Sequence, residues 1–282
     1  MIEIKDVGRL DGLQTQKIEE EVNSVFAALD EKKEEKALSA LEKLSNTSNY
    51  FIRELVGRLM TNYKNKKKIG KLAQEMLTHK IYGIRATAFF FFYNLYANEP
   101  KKIVSLLEDN YDSVPWEVES IIYEMWRKAP GIMKEMMPEW LSSEIEKKRI
   151  ISFHGLELIA ERDPVFVLDF LTKALDDPSI EVQKKVTHIL LQVVRSRPAE
   201  TYPYIREWIM TGGDKRTRTL MMSLRKILSI YQQKGLKDKS PDFMGLTKFV
   251  IYDWRSEKDK RISYVGNKLA KQLKRENNNQ NQ

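Results

Sequence analysis

A short segment recurs along this chain, and its period constrains the fold more than any other feature. Each copy opens an apolar helical run with a polar, usually basic, residue in its first turn. The residues that we take as equivalent follow one another at intervals of 30 to 35 residues: Arg53, Arg85, Glu119, Arg149, Lys184 and Arg218. A period in this range, with no strand pattern inside it, is typical of a solenoid of helix pairs. Neither helix of such a pair can bury its apolar face alone, so neighbouring pairs must stack.

Turn signals divide the chain into helices of roughly 12–18 residues, because proline and capping residues interrupt the apolar periodicity at short intervals. The interruptions fall at Asn98-Glu99-Pro100, Ala129-Pro130-Gly131, Arg162-Asp163-Pro164, Asp176-Asp177-Pro178 and Arg197-Pro198. Proline is expected at a first helical position, where its missing N–H has no intrahelical acceptor to lose. We therefore predict a single HEAT-like α-solenoid domain over residues 1–270. The Asn- and Gln-rich end, residues 271–282, is predicted to be a flexible polar tail.

Composition narrows the classes of partner. The chain has 282 residues, with 48 Lys and Arg against 40 Asp and Glu, a formal net charge of +8. This balance favours anionic partners, with nucleic acid first. The absence of cysteine excludes disulfides and thiolate metal sites. Three widely spaced histidines do not suggest a metal site either, so we expect no metal and no cofactor. No apolar run is long enough for a membrane span or a secretory signal, which predicts a cytoplasmic protein, expected to be a monomer.

One unit resembles a HEAT repeat closely enough to name. Its residues are Asp177-Pro178, Val182, Lys184, Val186 and Leu190, followed by Pro198 and Ile205. In such a repeat the Asp-Pro makes the turn and the apolar residues form the buried face of the second helix. The resemblance implies an all-α, right-handed superhelical solenoid of HEAT-like helix pairs. The recurring bases would then give it a basic concave face.

A longer run, from Lys71 to about Ile227, is similar to the bacterial DNA alkylation-repair family of HEAT-repeat glycosylases, the AlkC/AlkD type. The similarity covers about half of the chain. The matching pieces are Leu72-Ala73 through Leu77, Arg85-Ala86, Leu106-Leu107-Glu108, Trp116, Lys148-Arg149-Ile150, Val182 to Val194, Pro198 and Trp208. The resemblance implies excision of cationic N3- or N7-alkylated purines from duplex DNA.

The same resemblance implies a catalytic cleft lined by two tryptophans, an aspartate and an arginine. Trp116 is the counterpart of the first tryptophan, Glu119 of the acid and Arg149 of the arginine. This chain departs from the family in two ways: its acid is a glutamate at a different spacing, and His188 stands where the second tryptophan is expected. Asp112 is the only other candidate carboxylate near Trp116. His188 and Asp112 are accordingly predicted to contact the substrate.

The chemistry of such a site follows from its side chains. An alkylated purine is cationic, and an indole face attracts a cation with about 0.5–2 kcal/mol. A carboxylate can stabilise the developing sugar cation or position water, which typically contributes about 10²–10⁴-fold to the rate. Trp116 and Glu119 are three residues apart, so a helix that includes both presents them on one face.

Several alternatives stay open at the level of sequence. The chain could be a non-enzymatic HEAT-repeat scaffold whose groove holds an acidic peptide or helix, since a fold does not specify a function. Trp116 could be a packing residue, and His188 could lie in the core or in the groove. The phosphate contacts predicted for duplex DNA are Arg53, Arg85, Lys184, Lys185 and Arg218. The lysine cluster Lys64, Lys66, Lys67, Lys68 and Lys71 fits either a solvated loop or a further phosphate contact.

Overall fold

The computed structural model describes residues 8–234 and 243–279, and the side chains of 8–229 and 243–273. All regular secondary structure in these residues is α-helical, which is compatible with the predicted α-solenoid. The helices are α1 (Gly12–Asp30), α2 (Glu34–Ser45), α3 (Tyr50–Met60), α4 (Lys66–Leu77), α5 (Tyr82–Leu95), α6 (Pro100–Asn110), α7 (Pro115–Lys128), α8 (Pro130–Leu141), α9 (Glu146–Ile151), α10 (Leu156–Ile159), α11 (Pro164–Ala174), α12 (Ile180–Ser196), α13 (Pro198–Thr211), α14 (Asp214–Lys234), α15 (Phe243–Arg255) and α16 (Lys260–Asn279).

The helix starts follow the turn signals in the sequence. Proline is the first residue of α6, α7, α8, α11 and α13. Polar side chains cap other starts by accepting a hydrogen bond from a backbone N–H of the first turn, which satisfies one of the donors left open there. The caps of this kind include Asp11, Asn49, Asn65, Asp163 and Ser179.

Contacts between Cα atoms divide the chain into two compact units, residues 1–124 and 125–282, with the division inside α7. The prediction of one domain over residues 1–270 stays a prediction. Residues 271–279, predicted as part of the polar tail, are the end of α16. The helix continues there because Leu269, Ala270 and Leu273 extend its buried face. Residues 280–282 of the predicted tail lie outside the described residues.

The first unit is built around α5. Phe89, Phe90 and Phe91 on this helix are fully buried. Two glycines let α5 approach its neighbours closely, one against α3 and one against the end of α2. A Cβ atom on Gly57 would lie 2.6 Å from the carbonyl oxygen of Thr87, and Gly83 faces the end of α2 in the same way. The packing of α5 against α3 and the end of α2 therefore requires that these two positions carry no side chain.

The second unit contains two layers of helices. In one layer α12 packs on α14 and α14 packs on α16; in the other, α11 packs on α13 and α13 on α15. Trp126, Trp140 and Trp208 of this unit are all buried. Among the described residues, no helix combines the length and apolar character that a membrane span requires.

Candidate nucleic-acid interface

The recurring arginines have a structural task at the turn before their own helix. Arg53, Arg85 and Arg149 each lie four residues after the N-cap of α3, α5 and α9. In each case Nη1 donates hydrogen bonds of 2.7–3.1 Å to the carbonyl oxygens five and six residues earlier in the chain. We call this arrangement the arginine clasp. It satisfies turn carbonyls that would otherwise lack a donor.

Other donors of the clasp arginines reach the next turn or helix, except for Arg53 Nε, which is buried without a hydrogen-bond partner. Arg85 Nε lies 2.9 Å from Ser113 Oγ, and Arg149 Nε lies 2.7 Å from Asp177 Oδ2. The hydrogen bond that Arg149 donates to Asp177 raises the pKa of its guanidinium. The guanidinium groups of Arg85 and Arg149 therefore already bind protein atoms. The clasp gives them a structural role that was not part of the phosphate contact predicted for Arg85 or the catalytic role predicted for Arg149.

The third clasp arginine, Arg53, is buried and was predicted to contact a phosphate. Its residue is only 6% exposed, and its Nη2 lies 2.6 Å from Oε1 of the buried Glu117. A phosphate could not reach this guanidinium without displacing the carboxylate. The predicted phosphate contact at Arg53 is therefore wrong. First-turn position and charge alone do not distinguish a clasp from a ligand contact.

The predicted register of the repeat also changes after α9. Ser179 caps α12, so the residue four positions later is Gln183. Gln183 Nε2 donates to the carbonyl oxygens of Ala174, Leu175 and Asp177 at 3.0–3.1 Å, which is the task of the clasp arginines. Lys184 lies one position further and is exposed. Counting from the N-cap would have found this register in the sequence.

The same shift applies to two other members of the predicted series. Thr217 in α14 lies four residues after Gly213, whose carbonyl starts the helix, and Arg218 is the exposed residue after it. In α7 the equivalent position is Val118, so Glu119 does not belong to the series. Lys184 and Arg218 are thus exposed because they lie outside the clasp position.

Trp116 and Glu119 share one side of α7. Trp116 is the second residue of the helix and is 73% exposed, so it is not a packing residue. Glu119 lies one turn further along and is half-buried, while Asp112 is exposed in the preceding turn. An exposed indole beside a carboxylate could hold a cationic ring. These three residues belong to the first unit, whereas Arg149 and His188 belong to the second.

No pattern in the sequence predicts the buried carboxylate of this region. Glu117 is completely buried between Arg53 and Tyr82, whose hydroxyl donates to Oε2. Burial and this hydrogen bond raise the pKa of Tyr82 well above its ordinary value. Tyr50 Oη lies 2.8 Å from Ser120 Oγ beside the cluster. Because Glu117 binds protein groups through both oxygens, we assign it a structural role. Its position in the first turn of α7 is one at which acidic residues are common, so the sequence alone does not indicate this role.

The predicted substrate-contacting residue of the second unit, His188, is exposed on α12 and is not part of the core. Two predicted phosphate contacts precede it on the same helix. Lys184 is exposed and forms an ion pair with Glu181 at 2.6 Å. Lys185 is half-buried, with Nζ 3.3 Å from His154 Nε2. The three residues therefore lie on the outward side of α12.

The charge of the second unit is concentrated in one of its two layers. We call α12, α14 and α16 the basic layer. Among their residues, α12 has three Lys and Arg against one acid, and α14 and α16 each have six against one. The opposite layer is balanced: α11 has one of each, α13 one base and two acids, and α15 two bases and one acid. In this unit the excess of Lys and Arg over acids thus belongs to the helices of one layer.

The side chains of the basic layer are directed outward. In α14 the exposed residues recur on one helical stripe, opposite the buried Leu220, Leu224 and Ile227. Within the described part of the chain, the cations of this stripe have no carboxylate within ion-pair distance. They are Lys215, Arg218, Arg225 and Lys226. On α16, Lys260, Arg261 and Lys271 are also exposed. Unpaired cations on one surface attract phosphates.

The N-terminal lysine cluster is partly structural. Lys68 Nζ lies 2.6 Å from the carbonyl oxygen of Leu29 at the end of α1, and Lys64 Nζ lies 3.0 Å from Asp30 Oδ2. Lys66 binds carbonyl oxygens at the end of α3. Lys67 and Lys71 are exposed. Apart from Lys64, the lysines of this cluster belong to α4, so the cluster is the start of a helix that also binds the ends of α1 and α3. A further phosphate contact there stays a prediction.

Metal-binding side chains are not grouped in this region. Across the described residues, no three His, Asp or Glu side chains lie together as metal ligands would. The side chains described above that could contact a ligand are an exposed tryptophan, single carboxylates and exposed cations.

Comparison with known proteins identifies no family. No family model matches the chain, and no curated protein matches it. Two solved structures of engineered proteins from the Northeast Structural Genomics Consortium are similar in part. One is 13% identical and covers 92% of this chain and 97% of its own, with a TM-score of 0.26. Another is 15% identical and covers 78% and 95%, with a TM-score of 0.24. Agreement at this level carries no functional information.

Proposed function

We propose that this protein binds the sugar-phosphate backbone of duplex DNA through the basic layer. The observation that carries the proposal is the segregation of charge: fifteen Lys and Arg against three acids on α12, α14 and α16, and four against four on α11, α13 and α15. A solvated charged surface would not need to differ so strongly between two layers of the same unit. Contacts of this kind provide affinity and register without sequence specificity.

Two features of the earlier prediction belong to this proposal. One is a right-handed superhelix with a basic concave face, on which the phosphate contacts would lie. The other is the identity of those contacts, which move from the clasp arginines to exposed residues. Lys184, Lys185 and Arg218 are retained from the original set, and Lys215, Arg225 and Lys226 are added to it.

Excision of cationic alkylated purines is the catalytic part of the proposal. It is supported by one local arrangement, the exposed indole of Trp116 with Glu119 one turn away on α7. A cationic purine leaves without prior protonation, so a site with a single carboxylate and no metal would suffice. Membership of the DNA alkylation-repair family rests on the sequence resemblance.

DNA binding is tested by varying the salt concentration and by reversing charges in each of the two layers. Binding of a labelled duplex of unrelated sequence should weaken steeply between about 50 and about 200 mM salt, because each neutralised phosphate contributes about 0.9 to the log–log slope. The double variant Arg218→Glu, Arg225→Glu should bind much more weakly and lower the slope by about 2. The matched control, Lys173→Glu with Lys248→Glu, reverses two exposed cations of the opposite layer.

Three results would contradict the proposal. Duplex affinity that does not change with salt would favour the protein-interaction scaffold. Equal loss of affinity in the two double variants would show that only net charge matters. Failure of the wild-type protein to bind the duplex at low salt would remove the proposal altogether.

A further inference from the structure

Among the described residues, the basic layer also exposes large uncharged or weakly basic side chains on each of its three helices. Ile180, 71% exposed, is the first residue of α12, and three others lie among the cations. They are His188 on α12, Met222 on α14 and Tyr264 on α16. Met222 is 66% exposed and Tyr264 is 47% exposed. Single exposed apolar residues are common on protein surfaces and need no explanation by themselves. Their position within a cationic surface is the informative feature.

Two of these side chains lie level with each other. His188 and Met222 are the ninth residues of α12 and α14. The hydroxyl groups of the adjacent residues, Thr187 and Ser223, are 2.9 Å apart across the helix interface. Packed helices have their axes about 8–10 Å apart. His188 and Met222 therefore emerge side by side from the surface, on neighbouring helices.

Tyr264 extends this set onto the third helix. Gln272 Nε2 lies 3.1 Å from the carbonyl oxygen of Arg225, which fixes α16 beside α14. Lys268 Nζ lies 5.3 Å from the centre of the Tyr264 ring. The ring is thus held beside a cation at the edge of the same layer.

Each of these side chains has a cation within one helical turn. Lys184 precedes His188 by four residues, and Arg218 and Lys226 flank Met222 by four residues on either side. Four residues correspond to about 6 Å along a helix. A strand whose phosphates lie on these cations would bring its bases over the side chains between them. Sulfur and ring surfaces then offer base faces a partner of low polarity.

We propose that the basic layer prefers nucleic acid with unpaired bases, which stack on His188, Met222 and Tyr264 while the phosphates bind the surrounding cations. This inference rests on the proposed function and specifies its substrate. In an intact duplex the base faces are covered by their neighbours, so these side chains would contact only base edges or sugars. A bulge or a single strand exposes the faces, and proteins that bind single strands combine cations with stacking side chains in this way.

The experiment compares three labelled DNA probes of equal length: an intact duplex, the same duplex with a central bulge, and a single strand. The wild-type protein should bind the bulged and single-stranded probes about a hundredfold more tightly than the intact duplex, the combined effect of three base stacks. Met222→Ala and Tyr264→Ala should each reduce that preference by about fivefold, the equivalent of weakening one base stack, and leave affinity for the intact duplex unchanged.

The matched control is Phe249→Ala, which removes a 68% exposed aromatic side chain from α15 in the opposite layer. It should leave all three affinities unchanged. Salt-dependent binding with equal affinity for the three probes would overturn this inference and leave the proposed function in place. A preference that survives the combined Ala substitution of the three side chains would also overturn it. If no probe binds, the proposed function fails, and the inference fails with it.

Discussion

Arg53 and Glu117 form a buried ion pair, with Nη2 2.6 Å from Oε1, that joins α3 to α7 across the first turn of α5. Arg53 also holds the turn before its own helix through the carbonyl oxygens of Thr47 and Ser48. The Tyr82 hydroxyl at the start of α5 donates to the same carboxylate, so the pair connects α3, α5 and α7 near their N-terminal ends. Removing one partner would leave the other charge buried without compensation, which is strongly destabilising.

The first prediction follows from this burial. Arg53→Ala should lower the free energy of unfolding by about 3–5 kcal/mol, because it leaves Glu117 without its cation. Arg58→Ala is the control: Arg58 forms an exposed pair with Glu54 on the same helix, and such pairs contribute about 0.3–0.5 kcal/mol. Urea denaturation of both variants measures the difference. Similar losses would show that the buried pair contributes little.

The second prediction tests the arginine clasp by replacing its arginine with glutamine, the residue type at the equivalent position of α12. Gln183 binds turn carbonyls with a neutral amide at the position of the clasp arginines. Arg85 faces no carboxylate in its own clasp, since its Nε binds Ser113. Arg85→Gln should therefore retain part of the turn contacts, whereas Arg85→Ala should cost about 1–3 kcal/mol through unsatisfied carbonyls. Thermal unfolding that ranks Ala at or above Gln would contradict the clasp as a source of stability.

The sequence predicted the helices well because their signals are local. Proline at the first position marked the starts of α6, α8, α11 and α13, and apolar periodicity marked their buried faces. The tasks of the polar residues were harder to predict. Whether Arg53 binds a phosphate or Glu117 depends on a residue 64 positions away, which no local pattern contains. Charge segregation between layers likewise becomes visible only once α12, α14 and α16 are known to share a layer.

The third prediction compares two helical glycines. A Cβ atom on Gly83 would lie 2.8 Å from the carbonyl oxygen of Thr47 and nearer still to that of Ser45, whereas Gly70 has open space around it. Gly70→Ala should stabilise the protein by about 0.5–1 kcal/mol, because alanine is the better helix former. Gly83→Ala should destabilise it despite the same helical preference, since neither carbonyl can move without the end of α2. Equal effects of the two substitutions would contradict the close approach of α2 and α5.

The fourth prediction concerns acid stability. Asp163 caps α11 by accepting a hydrogen bond from Phe166 N at 3.2 Å, and Lys134 binds its other oxygen. The bond with Lys134, followed by the cap, holds the pKa of Asp163 below its ordinary value. A carboxyl group with a lowered pKa stabilises the folded state at pH values above its ordinary pKa. This stabilisation is lost as the pH falls through the folded-state pKa. The stability difference between wild type and Asp163→Asn should therefore be present at neutral pH and shrink below about pH 4.

Asparagine is the informative replacement at this position, because it keeps a capping oxygen and removes the charge. Asp163→Ala should lose a further amount, about 1 kcal/mol, from the missing cap, and this part should not depend on pH. Urea denaturation at several pH values separates the two contributions. A difference between wild type and Asp163→Asn that stays constant with pH would show that the pair with Lys134 does not contribute.

The last prediction addresses catalysis at Trp116 and Glu119. If the protein excises alkylated purines, its substrates should already carry positive charge, because one carboxylate is available and no metal ligands are grouped among the described residues. Glu119→Gln should lower release of 7-methylguanine or 3-methyladenine from methylated duplex DNA by about 10²-fold or more while duplex affinity is kept. Trp116→Ala should lower release by about tenfold through the lost cation–π contact.

Phe51→Ala is the matched control, since Phe51 is an exposed aromatic residue at the same second position of α3. Equal release by wild type and Glu119→Gln would remove Glu119 from the mechanism. Absence of release from the wild type, with DNA binding intact, would leave a DNA-binding protein without glycosylase activity.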